Sequence, residues 1–427
     1  MKESFLHFIW KNQYFNKNKL LTLSQRALEI KKVGHQNFVA GPDFKESYII
    51  SEGIHWFGSV EIHIKSSDWH KHGHTGDPNY ENVILHVVYE YDKPVYDSND
   101  QEIPTLELKG RIKPGLLSRY EALINHQGFV PCADSFQKVR SISRMSMLER
   151  VVIERLERKA AVIQSLLDQS LDDWEETAYQ CLAQSLGFKV NAEHMLTLAQ
   201  TVSIKTLLKH SSLFQIEALL FGASGLLNID FKDEYPQQLK TEYLFLSKKY
   251  GIKGKLSFNQ WHFSGARPSN FPTIRIAQLA ALIHKHQNLF SLFTEFQKPS
   301  HLKEAFDLEV SEYWQTHYNF EKPSEKVLGR FTQKNVQHVI INVSILLLVT
   351  LSKSRDDNRL LDKAINLLIS LPKEQNGVIN QWMGLDWNVS SAYDSQGLLE
   401  LKNSYCALKK CEQCSIGIEL MTSSLTN

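Results

Sequence analysis

The sequence predicts an α+β chain: an N-terminal mixed α/β sheet domain, residues 1–135, followed by a larger all-α domain, residues 136–427, carrying a C-terminal cysteine cluster. Three observations carry this expectation. Between Leu28 and Arg111, apolar residues alternate or run in β-branched and aromatic stretches broken by turn signals. From Arg144 onward they recur at three- and four-residue spacing, with Glu and Arg on the opposite face. At 427 residues, 42% hydrophobic and 22% charged, the chain has the length of two domains and the composition of folded globular proteins.

The elements follow in order. A short amphipathic helix carries Phe5, Ile9 and Trp10 on its apolar side. Strands are expected at 29–33, 48–51, 56–64, 83–91 and 105–109, between turns at 41–43, 52–53, 73–78 and 97–100. The stretch 128–143 is the expected junction. Met147, Leu148, Val151, Val152, Leu156, Ala160, Ile163 and Leu167 then mark a long helix. Further helices are expected at 174–186, 196–208, 213–221, 237–249, 274–284, 336–351, 359–370 and 396–402. The apolar run 339–351 falls short of the about 20 residues a bilayer span needs, which makes it a buried helix.

Lys and Arg total 48 against 47 acidic residues, a net charge of +1 that excludes a chain-wide basic coat while leaving room for a local basic groove. Residues 1–10 hold charges at Lys2 and Glu3 and no small-residue cleavage site, unlike a signal peptide. Five cysteines, an odd number, do not suggest a disulfide framework. A cytoplasmic protein without membrane attachment is expected.

The densest chemistry lies between Gly34 and His86. Strand alternation puts Val60, Ile62 and Ile64 on one face and Glu61, His63 and Lys65 on the other. The order Pro42-Asp43, hairpin, Glu61-x-His63 resembles the PD-(D/E)xK nuclease core, a restriction-endonuclease-like sheet. That resemblance implies Asp43 and Glu61 as ligands of Mg²⁺ or Mn²⁺, with His63 at the family's lysine position. Hard cations take carboxylate oxygen, and phosphodiester attack needs an activated water beside a proton acceptor. Histidine departs from the pattern because it lacks a permanent charge, which Lys65 on the same face could supply. The ordinary alternative makes Asp43 a turn residue and Glu61 and His63 a solvated strand face.

Six of the 17 histidines, His55, His63, His70, His72, His74 and His86, fall between positions 55 and 86. His70, His72, His74, Asp77 and His86 offer nitrogen and oxygen donors that suit zinc, manganese or iron. The spacing superficially resembles the His-x-His-x-Asp-His signature of metallo-β-lactamase-like hydrolases. Asp77 comes one place late and no histidine follows it, so that family is set aside. The alternative is a hydrated loop. His86, between Leu85 and Val87, reads as a sheet-interior imidazole that needs a partner.

Cys406-x4-Cys411-x2-Cys414 near the C-terminus offers three thiols for zinc or an iron–sulfur cluster, with Cys132 available as a fourth ligand that would tie the tail to the junction. Certain PD-(D/E)xK nucleases look similar, pairing C-terminal cysteines with a remote one. The alternative is reduced cysteines packed in a terminal helix pair. Cys181, amid Tyr179, Leu182 and Leu186, reads as a core thiol. Arg267 and Arg275 flank a proline-bounded loop entering a helix, where they could receive a phosphate or pin the loop. The segment 221–225 lacks the Lys-Ser/Thr of a P-loop, so nucleotide hydrolysis is not expected.

Gly41-Pro42-Asp43-Phe44, Gly58-Ser59-Val60-Glu61-Ile62-His63, Ser67-Asp68-Trp69, Leu85-His86-Val87-Val88, Arg267-Pro268-x-Asn270-Phe271-Pro272 and Tyr405-Cys406 through Cys414-Ser415-Ile416-Gly417 together resemble the DUF2851 family of bacterial proteins. The resemblance spans nearly the full length and implies one protein type without implying a mechanism. From the residues, the leading expectation is a metal-dependent hydrolase acting on DNA or RNA. Asp43 and Glu61 would bind the ion, His63 would orient or deprotonate water, and Lys65 or a loop histidine would offset phosphate charge. Arg267 and Arg275 would contact backbone phosphate. The alternatives are a non-catalytic scaffold for nucleic acid, ribosome or protein that keeps a degenerate nuclease-like sheet, and a zinc hydrolase built on the histidine cluster.

Overall fold

A computed structural model describes residues 1–264, 267–296, 298–326 and 329–423. The alternating N-terminal residues form a six-stranded mixed sheet: β1 (Leu28–Lys32), β2 (His35–Gln36), β3 (Phe44–Ser51), β4 (Ile54–Lys65), β5 (Val83–Glu90) and β6 (Thr105–Glu107). The strand order is β1-β3-β4-β5-β6, with β2 also paired to β3. β3 and β4 form an antiparallel hairpin, whereas β5 runs parallel to β4 and β6 parallel to β5. The register sets Glu61 opposite His86 and His63 opposite Val88.

β4 has two characters. Its first four residues are exposed, whereas Gly58 to His63 are buried on both faces. Val60 and Ile62 pack into the apolar side, and Glu61 and His63 point the other way, beneath a cover of other residues. Gly58 marks the change: a Cβ there would sit 2.5 Å from Ile84 and 2.6 Å from the Asn82 carbonyl, so only glycine lets β5 approach. Helix α1 (Glu3–Lys11) buries Phe5, Leu6, Phe8, Ile9 and Trp10, adding Leu6 and Phe8 to the expected apolar side of Phe5, Ile9 and Trp10.

The chain divides into two units. The first comprises Met1–Arg150, Asn380–Trp387 and Leu398–Asn427, and the second Val151–Ile379 and Asn388–Gly397. The boundary expected near residue 135 therefore falls inside the first unit, and the cysteine-bearing tail belongs with the sheet. The tail is pinned by long-range bonds that no local periodicity announces. Lys2 Nζ donates to the Leu408 carbonyl at 2.9 Å, Arg119 Nε to Met421 at 2.6 Å and Arg150 Nη1 to Gln413 at 3.0 Å. Arg140 meets the Glu419 carboxylate at 2.9 Å. Trp382 packs edge-on against Phe129 and Trp387, joining the small inserted segment to the same unit.

The second unit is helical around one continuous core. Its elements lie close to the periodicity: Trp174–Leu186 coincides with the expected helix, and Leu213–Ala223, Glu234–Tyr250 and Pro272–Lys285 extend theirs by a few residues. The helix expected at 196–208 is two, Ala192–Thr201 and Ile204–Leu207, because Ser203 takes an extended conformation between them. The helical run Gln333–Arg355 is 23 residues and holds an apolar window of mean hydropathy 1.6, long and apolar enough to cross a membrane, and 78% of that window is buried. A π-helical stretch, Ile340–Ser344, interrupts it.

Candidate metal centre

The hairpin of β3 and β4 brings Asp43 beside Glu61. The Asp43 amide donates to Glu61 Oε2 at 3.0 Å, and the Ile62 amide donates to Asp43 Oδ2 at 2.9 Å. Each carboxylate thus has one oxygen held by backbone, which fixes its plane. Glu61 is 5% exposed and Asp43 lies nearer solvent. Burial, then the neighbouring Asp43 charge, push the Glu61 carboxyl up to about 9.

Two imidazoles converge on the free oxygen of Glu61, and a third joins them through His63. His74 Nε2 lies 3.3 Å and His63 Nε2 3.6 Å from Glu61 Oε1, and His63 Nε2 lies 3.1 Å from His72 Nδ1. Among the described residues, the donor atoms of His63, His72 and His74 form a group lying within 4.8 Å of one another. His63 and His74 are buried, whereas His72 is exposed. The loop that carries His72 and His74 is held by Trp69, whose indole N–H donates to Thr75 Oγ1 at 3.0 Å. Tyr80 stacks on His74 with ring centroids 3.8 Å apart.

His86, opposite Glu61 in the parallel register, stands behind this group. Its Nε2 is 2.8 Å from His63 Nδ1. With His63 Nδ1–H donating to His86, the His63 Nε2 lone pair faces Glu61 and His72, the orientation a metal-ligating imidazole takes when its other nitrogen is held. Burial, followed by the neighbouring imidazoles, lowers His63 to about 2. Burial lowers His86 to about 3 and also lowers His74. These rings are neutral at physiological pH, as ligation requires. His74 Nε2 is buried without a hydrogen-bond partner although a carboxylate oxygen lies 3.3 Å away.

The remaining expected residues divide clearly. Lys65 is exposed at the end of β4, where its charge acts on Glu90 and Asp92, and it does not reach the centre. His70 is exposed on the short helix Asp68–Lys71. Asp77 caps the turn at Pro78–Tyr80, accepting from the Asn79 amide at 2.9 Å. In the second unit Arg267 is exposed, but Arg275 is 1% exposed, lies 4.7 Å over the Phe188 ring and donates to Gln278 Oε1 at 2.6 Å and Asn270 Oδ1 at 2.5 Å. Arg275 pins the loop and has no surface for a backbone phosphate, so the expected phosphate pair is corrected to a structural arginine. Cys181 is a buried core thiol. Cys132, Cys406, Cys411 and Cys414 line one cavity in the first unit.

Sequence reasoning missed four participants. His7 on α1 places Nε2 3.2 Å from Asp43 Oδ2, and Glu3, one turn earlier, feels the charges of His72, Asp43 and His7. Tyr80 and Trp69 wall the imidazoles. A histidine within the apolar residues Phe5 to Trp10 was the available signal for His7.

Comparisons of the chain with curated proteins and with solved structures return no match. Residues 3–377, most of the chain, match the family described as "Protein of unknown function (DUF2851)", and the chain belongs to that family.

Proposed function

We propose that this protein is a metal-dependent hydrolase whose centre is built from Glu61, His63 and His74, with His72 as the donor on the solvent side. The observation that carries this reading is the set of donor separations. Ligands about 2.0–2.1 Å from a tetrahedral ion stand roughly 3.3 Å apart, and three separations here are 3.1, 3.3 and 3.6 Å. Imidazole-rich donors suit zinc better than magnesium, so the reading moves from Mg²⁺ or Mn²⁺ on two carboxylates to a zinc-type ion on one carboxylate and imidazoles. Asp43 then stands beside the ion rather than on it.

Each residue has a distinct task. Glu61 neutralises the ion and, once paired with it, holds its charge despite burial. His86 fixes the His63 ring. Asp43, more exposed and held by the Ile62 amide, is placed to accept a proton from water. Tyr80, pushed up to about 12 by burial and then by Glu61 and Asp43, stays protonated as a donor. The bound ion supplies Lewis acidity toward water and a substrate oxygen. Exposed His72 marks the corner at which water and substrate enter.

Nucleic acid is the proposed substrate class. The loop that ends in Asp43 carries Phe38 at 84% exposure, and Asn37 holds the loop by donating to the Val39, Ala40 and Pro42 carbonyls. An exposed aromatic on the loop that leads into Asp43 suits stacking with a base of a nucleic-acid substrate. The test is elemental analysis followed by cleavage of single-stranded DNA and RNA with Zn²⁺, Mn²⁺ or Mg²⁺. Stoichiometric zinc, with cleavage lost in Glu61→Gln and His74→Ala, is expected. Equal cleavage by wild type and the Asp43→Ala/Glu61→Ala double variant would falsify the assignment.

A further inference from the structure

The first unit contains a second group of potential ligands, remote in character from the imidazoles: four thiols from two distant parts of the sequence. Cys132 follows Val130-Pro131, while Cys406, Cys411 and Cys414 come from the tail. Pro131, Tyr405, Lys410 and Gly417 complete the walls of the cavity they share, whose volume is about 20 Å³. We propose that Cys132, Cys406, Cys411 and Cys414 hold an iron–sulfur cluster as its complete set of thiolate ligands. The proposal goes beyond the hydrolase reading and does not depend on it.

All four cysteines are free thiols arranged around a common space rather than in bonded pairs. Zinc held at about 2.3 Å by four thiolates would draw the sulfurs to about 3.8 Å from one another, in van der Waals contact, and leave no cavity between them. A cluster bridges its cysteines through iron and sulfide of its own, and four thiols set around one shared space rather than meeting at one point suit it. The surroundings also carry the right charge for an anionic thiolate assembly. Arg144 acts on Cys132, Lys402 on Cys406, Lys2 and Lys409 on Cys411, and Arg150 on Cys414. Glu412, beside Cys411, is the one acidic group among these influences.

The backbone is shaped for the same purpose. The Ile416 and Gly417 amides donate to the Cys414 sulfur, the kind of bond that stabilises a ligating thiolate. A Cβ on Gly417 would lie 2.3 Å from the Cys411 carbonyl oxygen, so the last helix approaches the Cys411–Cys414 turn as closely as glycine allows.

The full chain, purified without oxygen, gives the test. Iron and acid-labile sulfide at about four each per chain, with visible charge-transfer absorption, are expected. Cys406→Ser loses that iron and sulfide, while Cys181→Ser and His74→Ala keep both, which separates this centre from the imidazole site. The wild-type measurement stands by itself if a cysteine variant fails to fold. Stoichiometric zinc without labile sulfide overturns the proposal, as does wild-type protein that takes up neither iron nor sulfide on anaerobic reconstitution.

Discussion

Glu61 in the sheet unit and Glu217 in the helical unit are both buried carboxylates, and their partners tell them apart. Glu217 Oε2 accepts from the Tyr235 hydroxyl and from Ser311 Oγ, two neutral donors supplied by helix and loop. Its Oε1 has no hydrogen-bond partner, a suitable place for a proton, and burial raises its carboxyl to about 7. Glu61 receives one backbone amide and otherwise faces imidazole nitrogens at ligand-edge distances. The first arrangement satisfies a polar group inside a core; the second gathers lone pairs toward one point, where a proton or a metal ion must stand among them. A buried acid with hydroxyl donors is structural, whereas one surrounded by acceptors wants a cation.

The largest expected effect that would break this contrast is on ion affinity. Glu61→Gln, His63→Ala and His74→Ala should each weaken zinc binding by at least about 100-fold, since even outer-shell losses typically cost about 10–100-fold. Isothermal titration with Zn²⁺ checks it. The same titration on Glu217→Gln should match wild type, and a shared loss would erase the distinction.

Next in size is stability. Zinc at about 1,000 times its dissociation constant should stabilise the sheet unit by about 4 kcal/mol. Thermal melts with and without a chelator should therefore move an unfolding transition of wild type and leave that of His74→Ala in place.

His86→Leu sharpens the contrast further by removing the brace on His63 while sparing the first ligands. Zinc affinity should fall about 10-fold to 100-fold, and His72→Ala, at the exposed corner, should cost less than His74→Ala. Equal losses for His72 and His74 would contradict the division into a buried set and a solvent-side donor.

The smallest effect is a pH dependence in the helical unit. Between the ordinary glutamate value of 4.5 and about 7, folded Glu217 keeps a proton that the unfolded chain has lost. The unfolded state therefore binds fewer protons there, so stability falls as pH rises through that window and levels off above it. Denaturant midpoints at several pH values should show this slope in wild type and a flatter one in Glu217→Gln.

Much of the frame was legible because it is local. Period-two alternation located β4 and put Glu61 and His63 on one face, and the helical period placed Trp174–Leu186 at its observed ends. The convergence of Cys132 with the tail cysteines was readable from ligand counting alone. What stayed hidden depends on tertiary geometry. Nothing in the spacing of His70, His72 and His74 says that the first stays clear of the group, the second meets it from the solvent side and the third is buried, because that follows from the Trp69 anchor on the loop. Lys65 looked equivalent to Glu61 and His63 by alternation, yet β4 emerges from cover two residues after His63. His7 reaches Asp43 from another element, and Arg275 became structural only once Phe188 and Asn270 closed around it.

The way the first unit is threaded has a consequence for biosynthesis. Its sheet is made early, but Leu398 and the residues after it are made only after roughly 250 more residues, a delay of about 12–50 s at about 5–20 residues per second. The helical stretch between them has the time to fold first. The sheet must wait for its closing segment with Cys132 and the Lys409 contact to Ile124 unmade, so nascent chains are most vulnerable to proteases and thiol oxidants during that interval. Fusions or deletions at the C-terminal end should accordingly harm yield more than equal changes in the exposed loops of the helical unit.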